Sequence, residues 1–219
     1  ADRMLDMGFL PPLRSLIPQL PRDHQTLLFS ATLSPEIHRL AVEFTRDPLR
    51  IDVSPDQVVA PTVTHHIHQV AQERKRAWLH HVVKQPEPGQ ALVFCQTKHG
   101  TDKVARYLEQ AGVTVAVIHG NKSQNARTRS LEDFRTGRVS VLAATDIAAR
   151  GLDIAELPLV INYDLPLVAE AYVHRVGRTG RAGLGGRAVS LVSANDRALL
   201  RDIQRLVKEP LEPVPVGHQ

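Results

Sequence analysis

The chain has 219 residues and a single cysteine, Cys95. No intrachain disulfide can form, and a lone thiol suits a reducing compartment such as the cytoplasm. Cys95 closes the apolar run ALVFC and reads as buried filler rather than as a nucleophile. Aromatic residues make up 4% of the chain, too few for a platform on which successive bases stack. No apolar run is long enough to span a bilayer, so no membrane partner is expected. No segment repeats at a fixed period and none is of low complexity. What is present is ordinary for a globular protein: 42% hydrophobic and 23% charged residues, enough for a sizeable core. The formal net charge of +4 admits an anionic partner without demanding one, solubility being the plain alternative.

Short apolar runs alternate with amphipathic stretches along most of the chain. TLLFSA (26–31) has the length and composition of a buried strand. Ser34-Pro35 then reads as an N-cap and first helical residue, followed by Ile37, Leu40, Ala41 and Phe44 at helical spacing. Pro48, Pro55 and Pro61 interrupt the next segment, and 54–61 is expected to be a linker. Strands are expected at 65–70, 91–95, 113–118, 139–144, 159–163 and 188–192. Helices are expected at about 73–84, before Gly112, from Ser123 to Gly137, at about 168–176, and after Ser193 or Asn195. The proline-rich end, 209–219, reads as a loose tail. Repeated strand–helix units predict an α/β fold, a parallel sheet flanked by helices. In such sheets ligands sit outside the carboxyl ends of the strands. HGNKSQ follows the strand ending at Ile118, and TDIAARGLD follows the one ending at Ala144.

HRVGRTGRAGLGGR (174–187) carries four arginines and no acid. Guanidinium forks suit phosphate oxygens, whereas a solvated basic loop is the bland alternative. His65, His66 and His68, with His80 and His81, raise a metal site. On a strand His65 faces away from His66 and His68, however, and no cysteine or acid joins them at ligand spacing. Plain strand residues, and no metal, are expected there. Trp78 reads as helix packing.

Taken together, these motifs resemble those of the DEAD-box RNA helicases, ATP-dependent enzymes built from two RecA-like domains. ADRMLDMGF (1–9) is similar to the end of the DEAD tetrapeptide and its sequel, and Ser30-Ala31-Thr32 to the SAT motif. VFCQTK (93–98) resembles the fourth motif, Gln124 and Arg127 the QxxR signature, ATDIAARGLD (144–153) the fifth motif and HRVGRTGR (174–181) the sixth. Six motifs in order are far more specific than any one of them. Among bacterial members the wording is most similar to the RhlE-like group.

The resemblance implies a RecA-like helicase C-terminal domain at 62–208, preceded at 1–53 by the remnant of a first RecA-like domain. There is no Gly-x4-Gly-Lys-[Ser/Thr] phosphate loop in the 219 residues, so the chain alone is expected not to hydrolyse ATP. Without sheet neighbours, the 26–31 strand is expected to be poorly supported.

The resemblance also implies roles for particular residues. Arg178 and Arg181 would reach the γ-phosphate of ATP held on the missing first domain, and Gly151 and Asp153 would meet the nucleotide, Asp153 at its ribose. Gly177, Gly180 and Gly183 would let the arginine row turn tightly. Asp2, Ser30, Ala31, Thr32, His174 and Arg175 would couple the two domains. RNA would be held through its sugar–phosphate backbone by Gln96, Thr97, Lys98, Gly120, Gln124, Arg127, Thr145 and Asp146. For Thr97-Lys98 a helix N-terminus, and for Arg127 a solvent-facing helix residue, are the structural alternatives. ATP and RNA are the implied partners, with Mg2+ arriving with ATP and bound mainly by the missing domain. The competing functions are a non-catalytic RNA-binding or partner-docking module, and a DNA helicase of the wider superfamily.

Overall fold

Seven parallel strands form one sheet in the order β3-β4-β2-β5-β6-β1-β7. In chain order they are β1 (Val63–Gln69), β2 (Ala91–Phe94), β3 (Val115–Ile118), β4 (Val141–Ala144), β5 (Leu159–Asn162), β6 (Gly186–Val192) and β7 (Pro213–Pro215). The computed structural model describes residues 1–2, 4, 8–30, 34–52, 62–85, 89–149, 154, 156–180, 185–208 and 210–216. It divides into two compact units, Ala1–Asp56 and Gln57–Gln219. The expected linker, 54–61, lies outside the described residues.

In the first unit, α1 (Leu10–Leu16) has prolines in its first turn and α2 (Pro35–Phe44) follows Ser34, whose hydroxyl accepts from Ile37 N at 3.3 Å. Ile37 and Leu40 are the buried face of α2. Arg14 clasps Glu43 through Nε at 2.6 Å and a terminal nitrogen at 2.9 Å, tying α1 to α2. The strand expected at 26–31 differs in the structure: residues 26–30 pair with no strand, and Leu27 and Phe29 stay 67% and 80% exposed. An apolar run becomes a strand only where a neighbour takes its backbone groups, and the described residues of this unit offer none.

In the second unit the strand–helix alternation holds. β2, β4 and β5 are buried along their whole length, as their unbroken apolar runs require when helices cover both faces. Alternation sorts β2: Ala91, Val93 and Cys95 join Leu79, Val82, Val104 and Leu108 on one face, while Leu92 and Phe94 meet Phe134 and Ala148 on the other. The first set comes from α3 (Lys75–Val83) and α4 (Lys98–Gln110), and the second from α5 (Gln124–Arg135) and α6 (Asp146–Ala149). Tyr172 and Val176 of α7 (Ala169–Val176) and Leu200, Ile203 and Val207 of α8 (Arg197–Val207) cover Val63, Ile67 and Ala188. Each such aliphatic side chain fully buried contributes roughly 1.5–3 kcal/mol. Gly112 and Gly137 end their helices with φ of +78° and +74°.

Ser193 and Asp196 form a capping box before α8. Asp196 also accepts from the buried Lys75 at 3.2 Å, and Lys75 reaches the Tyr163 carbonyl at 3.2 Å. Burial opposes ionisation of Asp196, but the Ser193 hydroxyl and N–H, together with Lys75, outweigh it and hold the carboxyl below its usual range.

The tail differs from the loose segment its prolines suggest. Pro213, Val214 and Pro215 pair in parallel with Ile67, His68 and Gln69, and Leu211 is buried with its carbonyl accepting from Gln204 at 2.8 Å. Proline is tolerated here because β7 is an edge strand with a partner on one side only. Cys95 is fully buried, and burial pushes its thiol up, out of nucleophilic range.

The histidines make a ring cluster. His66 and His68 share one face with centroids 6.5 Å apart, His68 meets Trp78 edge-on at 5.4 Å, and Trp78 stacks on His81 at 4.9 Å. Burial first, then His66, Arg187 and His81, lowers the pKa of His68. The folded protein therefore binds fewer protons there than the unfolded chain. The resulting stability is present above the unfolded value, about pH 6.5, and is lost as pH falls through the lower folded value. Moving from about pH 7.5 to about pH 5.5 should lower the melting temperature, and His68→Gln should lessen that drop. An equal drop in parent and variant would show that His68 contributes none of it.

Candidate functional site

Strand register sets the site. Phe94 lies level with Ala144 on one side and Asn162 on the other, and Ala144 lies level with Ile118. The segments that follow these four adjacent strands therefore leave the sheet at one carboxyl edge. This brings together Gln96, Thr97 and Lys98 after β2, Gly120, Gln124 and Arg127 after β3, and Thr145 and Asp146 after β4.

The loops are tied to one another. Gln96 N donates to Asp164 Oδ2 at 3.0 Å, joining the β2 and β5 loops. Lys98 Nζ donates to Asn121 Oδ1 at 2.8 Å, joining those of β2 and β3. Gly120 lies so close that a Cβ would stand 3.3 Å from Lys98 Cε. Thr97 is the N-cap of α4: its Oγ1 accepts from Gly100 N at 3.0 Å. Ser123 caps α5, and Arg127 donates to Gln124 Oε1 at 3.2 Å and to the Ala148 carbonyl at 3.4 Å. Arg127 Nε is buried with no partner among the described residues. Thr145 is buried, and its carbonyl takes Ala148 N at 3.1 Å and Ala149 N at 2.9 Å to start α6.

Behind this edge two of the expected site residues meet each other. Arg175, expected at an interdomain seam, points into its own unit and is 2% exposed. It forks onto Asp146 at 2.6 and 2.7 Å, and donates to Asn162 Oδ1 at 3.0 Å and to the Asp164 carbonyl at 2.7 Å. Its guanidinium also lies 4.9 Å from the Phe94 ring centroid. Asp146 is correspondingly the counter-charge of Arg175, so its carboxylate holds the site together instead of facing outward alone. The reason is electrostatic: a guanidinium at the end of α7, over a sheet edge, needs acceptors once buried.

Sequence reading missed Asn162, Asp164, Asp102 and His119. Asn162 carried a signal, an amide inside an otherwise apolar strand, and its Nδ2 donates to Ser190 Oγ at 3.1 Å. His119 lies 3.1 Å from Asp102 on α4, whose other oxygen is 3.4 Å from Lys122. Burial works against the ionised form of Asp102, but His119 and Lys122 outweigh it and lower its pKa.

The arginine row is anchored on its backbone. Leu157 N donates to the Arg178 carbonyl at 3.0 Å, and Thr62 Oγ1 donates to the Gly180 carbonyl at 2.6 Å. The buried Thr179 hydroxyl donates to the Leu157 carbonyl. Gly180 has φ +67°, and a Cβ there would stand 2.3 Å from Val63 Cγ2, so only glycine fits. Gly177, by contrast, has φ −62° and needs no left-handed freedom. Arg178 and His174 are half-buried. Arg181, Gly183, Gly151 and Asp153 lie outside the described residues, as do Ala31 and Thr32. In the first unit, Asp2 N donates to Ser30 Oγ at 3.4 Å.

An all-parallel sheet with its polar loops gathered at one carboxyl edge defines a ligand-binding α/β domain, and its likeness to solved DEAD-box proteins makes it RecA-like. Residues 74–183 match the family model described as "Helicase conserved C-terminal domain". The chain is 38% identical over 219 residues to the ATP-dependent RNA helicase DbpA of Bacillus subtilis, covering 100% of this chain and 46% of that protein. Escherichia coli DEAD-box protein SrmB, solved bound to regulator of ribonuclease activity A, is 36% identical with a TM-score of 0.64, over 74% of this chain and 91% of that one. Saccharomyces cerevisiae Dbp5, solved bound to RNA and ADP BeF3, is 29% identical with a TM-score of 0.84, over 98% of this chain and 57% of that one. The chain belongs to the DEAD-box ATP-dependent RNA helicase family. It spans about half the length of the Bacillus relative.

Proposed function

We propose that the chain is the carboxyl-terminal part of an RNA-dependent ATPase that separates short RNA duplexes. Residues 1–53 belong to the first RecA-like domain, 54–61 to the linker and 62–208 to the second domain. Arg178 and Arg181 stabilise charge on the γ-phosphate, with Gly151 and Asp153 at the nucleotide, while Asp2, Ser30, Ala31, Thr32 and His174 relay closure between lobes. Among the described residues no group of His, Cys, Asp and Glu could hold a metal ion; Mg2+ comes with ATP on the phosphate-loop lobe.

One observation carries the RNA reading: Gln96, Thr97, Lys98, Gly120, Gln124, Arg127 and Thr145 bring amides, hydroxyls and cations together at the edge of four adjacent strands. Such groups suit phosphates and 2′-hydroxyls, which carry no base information. The test compares single-stranded RNA and DNA of one sequence binding to the 219-residue chain across salt concentrations. RNA should bind more tightly, with little dependence on sequence. Arg127→Ala should weaken binding to every sequence alike and reduce the salt slope by about one. Equal affinity for DNA would favour a DNA-directed enzyme.

A further inference from the structure

A cleft of about 670 Å3 opens beside the carboxyl edge, between the start of α3 and the outer face of α4. Its volume lies in the range typical of small-molecule sites, about 300–1,000 Å3. Gln96 and Thr97 line it and also belong to the edge, so the two surfaces are continuous. Resting on the RNA reading above, we propose that this cleft is a nucleotide pocket that receives one base of a single RNA strand as the strand leaves the edge.

The lining has the chemistry of a base site. The Arg76 guanidinium lies over the Tyr107 ring, 5.5 Å from its centroid, so the two form one stacked pair against which a base could be laid. Tyr163, at 8% exposure, closes the floor. Burial, with Asp164 and Cys95, pushes its hydroxyl up to about 12, so it stays protonated. The Gln72, Gln96 and Gln110 amides line the cleft and offer both donors and acceptors, as base edges require. Lys103 and Arg106, exposed on α4, supply positive charge for a phosphate outside the pocket. Within the described residues, Arg76, Lys103 and Arg106 form no ion pair, and the only carboxylate lining the cleft, Asp164, already accepts from Gln96 N. One ring-and-guanidinium pair is not a platform for successive bases, so the low aromatic content is no obstacle. An acidic peptide would satisfy the cations but has no use for the stacking surfaces or the three amides, which is why a nucleotide is the better fit.

The experiment uses the 219-residue chain and fluorescent single-stranded RNAs of roughly six and roughly twelve nucleotides. The longer strand should bind more tightly. Tyr107→Ala, and separately the pair Lys103→Glu and Arg106→Glu, should weaken the longer strand about tenfold and leave the shorter unchanged. Tyr107→Phe, which keeps the ring, should bind like the parent and controls for folding. A 4-thiouridine near the end of the longer RNA should crosslink to Tyr107 or Tyr163. Parent-like binding by both variants, an equal loss on both lengths, or crosslinks only to other residues would overturn the pocket while leaving the RNA reading intact. Loss of binding to a glutamate-rich peptide, with RNA binding unchanged, would overturn it in favour of a protein partner. Failure of the parent chain to bind RNA of either length would overturn the RNA reading and the pocket together.

Discussion

Arg178→Ala should slow ATP hydrolysis by about 10³- to 10⁵-fold in an enzyme where this chain is completed by a lobe carrying the phosphate loop. That corresponds to roughly 4–7 kcal/mol of transition-state stabilisation, far above a surface ion pair at about 0–1 kcal/mol. The effect should fall on turnover and not on folding. The backbone here has its own hydrogen bonds: Arg178 N donates to the Arg175 carbonyl at 3.1 Å, Leu157 N to the Arg178 carbonyl at 3.0 Å, and Thr179 N to the Val176 carbonyl at 2.9 Å. Arg178→Lys should also be slow, because a lysine ammonium cannot reproduce the planar fork. Steady-state hydrolysis with saturating RNA checks this, with the melting temperature and RNA affinity as controls. The 219-residue chain alone should show no turnover, since no phosphate loop is present in it. An Arg178→Ala enzyme turning over like the parent would reduce the arginine row to a docking or solubility element.

Breaking the Arg175–Asp146 pair should have the largest effect on stability. Arg175 is buried, its fork reaches Asp146 at 2.6 and 2.7 Å, and it also satisfies Asn162 and the Asp164 carbonyl. Asp146→Asn leaves a guanidinium buried without its counter-charge, at about 3–5 kcal/mol. For a unit of this size the melting temperature should fall by roughly 6–20 °C. Arg175→Met should cost a similar amount by stranding three acceptors. The double variant Asp146→Leu with Arg175→Met should recover much of the loss, because no uncompensated charge remains. Calorimetry on the parent, Asp146→Leu, Arg175→Met and the double variant gives the coupling directly. Additive losses in the double variant would mean that the two side chains act separately.

These two arginines, three residues apart in one motif, show how far sequence reasoning reaches. HRVGRTGR announces an anion-binding row, and nothing in its spacing separates Arg175, which turns inward, from Arg178, half-buried after the helix ends. The difference follows from the helix: Arg175 lies in the last turn of α7 over the ends of β4 and β5, where Asp146 and Asn162 wait. The pairing of Asp146 with Arg175 is likewise absent from the motif's spacing. Thr97 could be read either as a ligand or as a helix start, and its contact with Gly100 N makes it a helix start without testing the ligand role.

Local chemistry determined the strands and helices of the second unit, Pro213–Pro215 excepted. Four-residue runs such as ALVF and LVIN have no stable place except between two helical layers, and Ser34, Ser123 and Ser193 mark helix starts by offering an oxygen to free backbone N–H groups. Which strands lie side by side was decided only in three dimensions. β2 sits between β4 and β5, neither its neighbour in the chain, because parallel strands need crossovers and the crossover helices choose the order by packing. That order gathers the polar loops at one edge. The same tertiary requirement for a backbone partner gave Pro213–Pro215 a place beside β1 and left 26–30 without one.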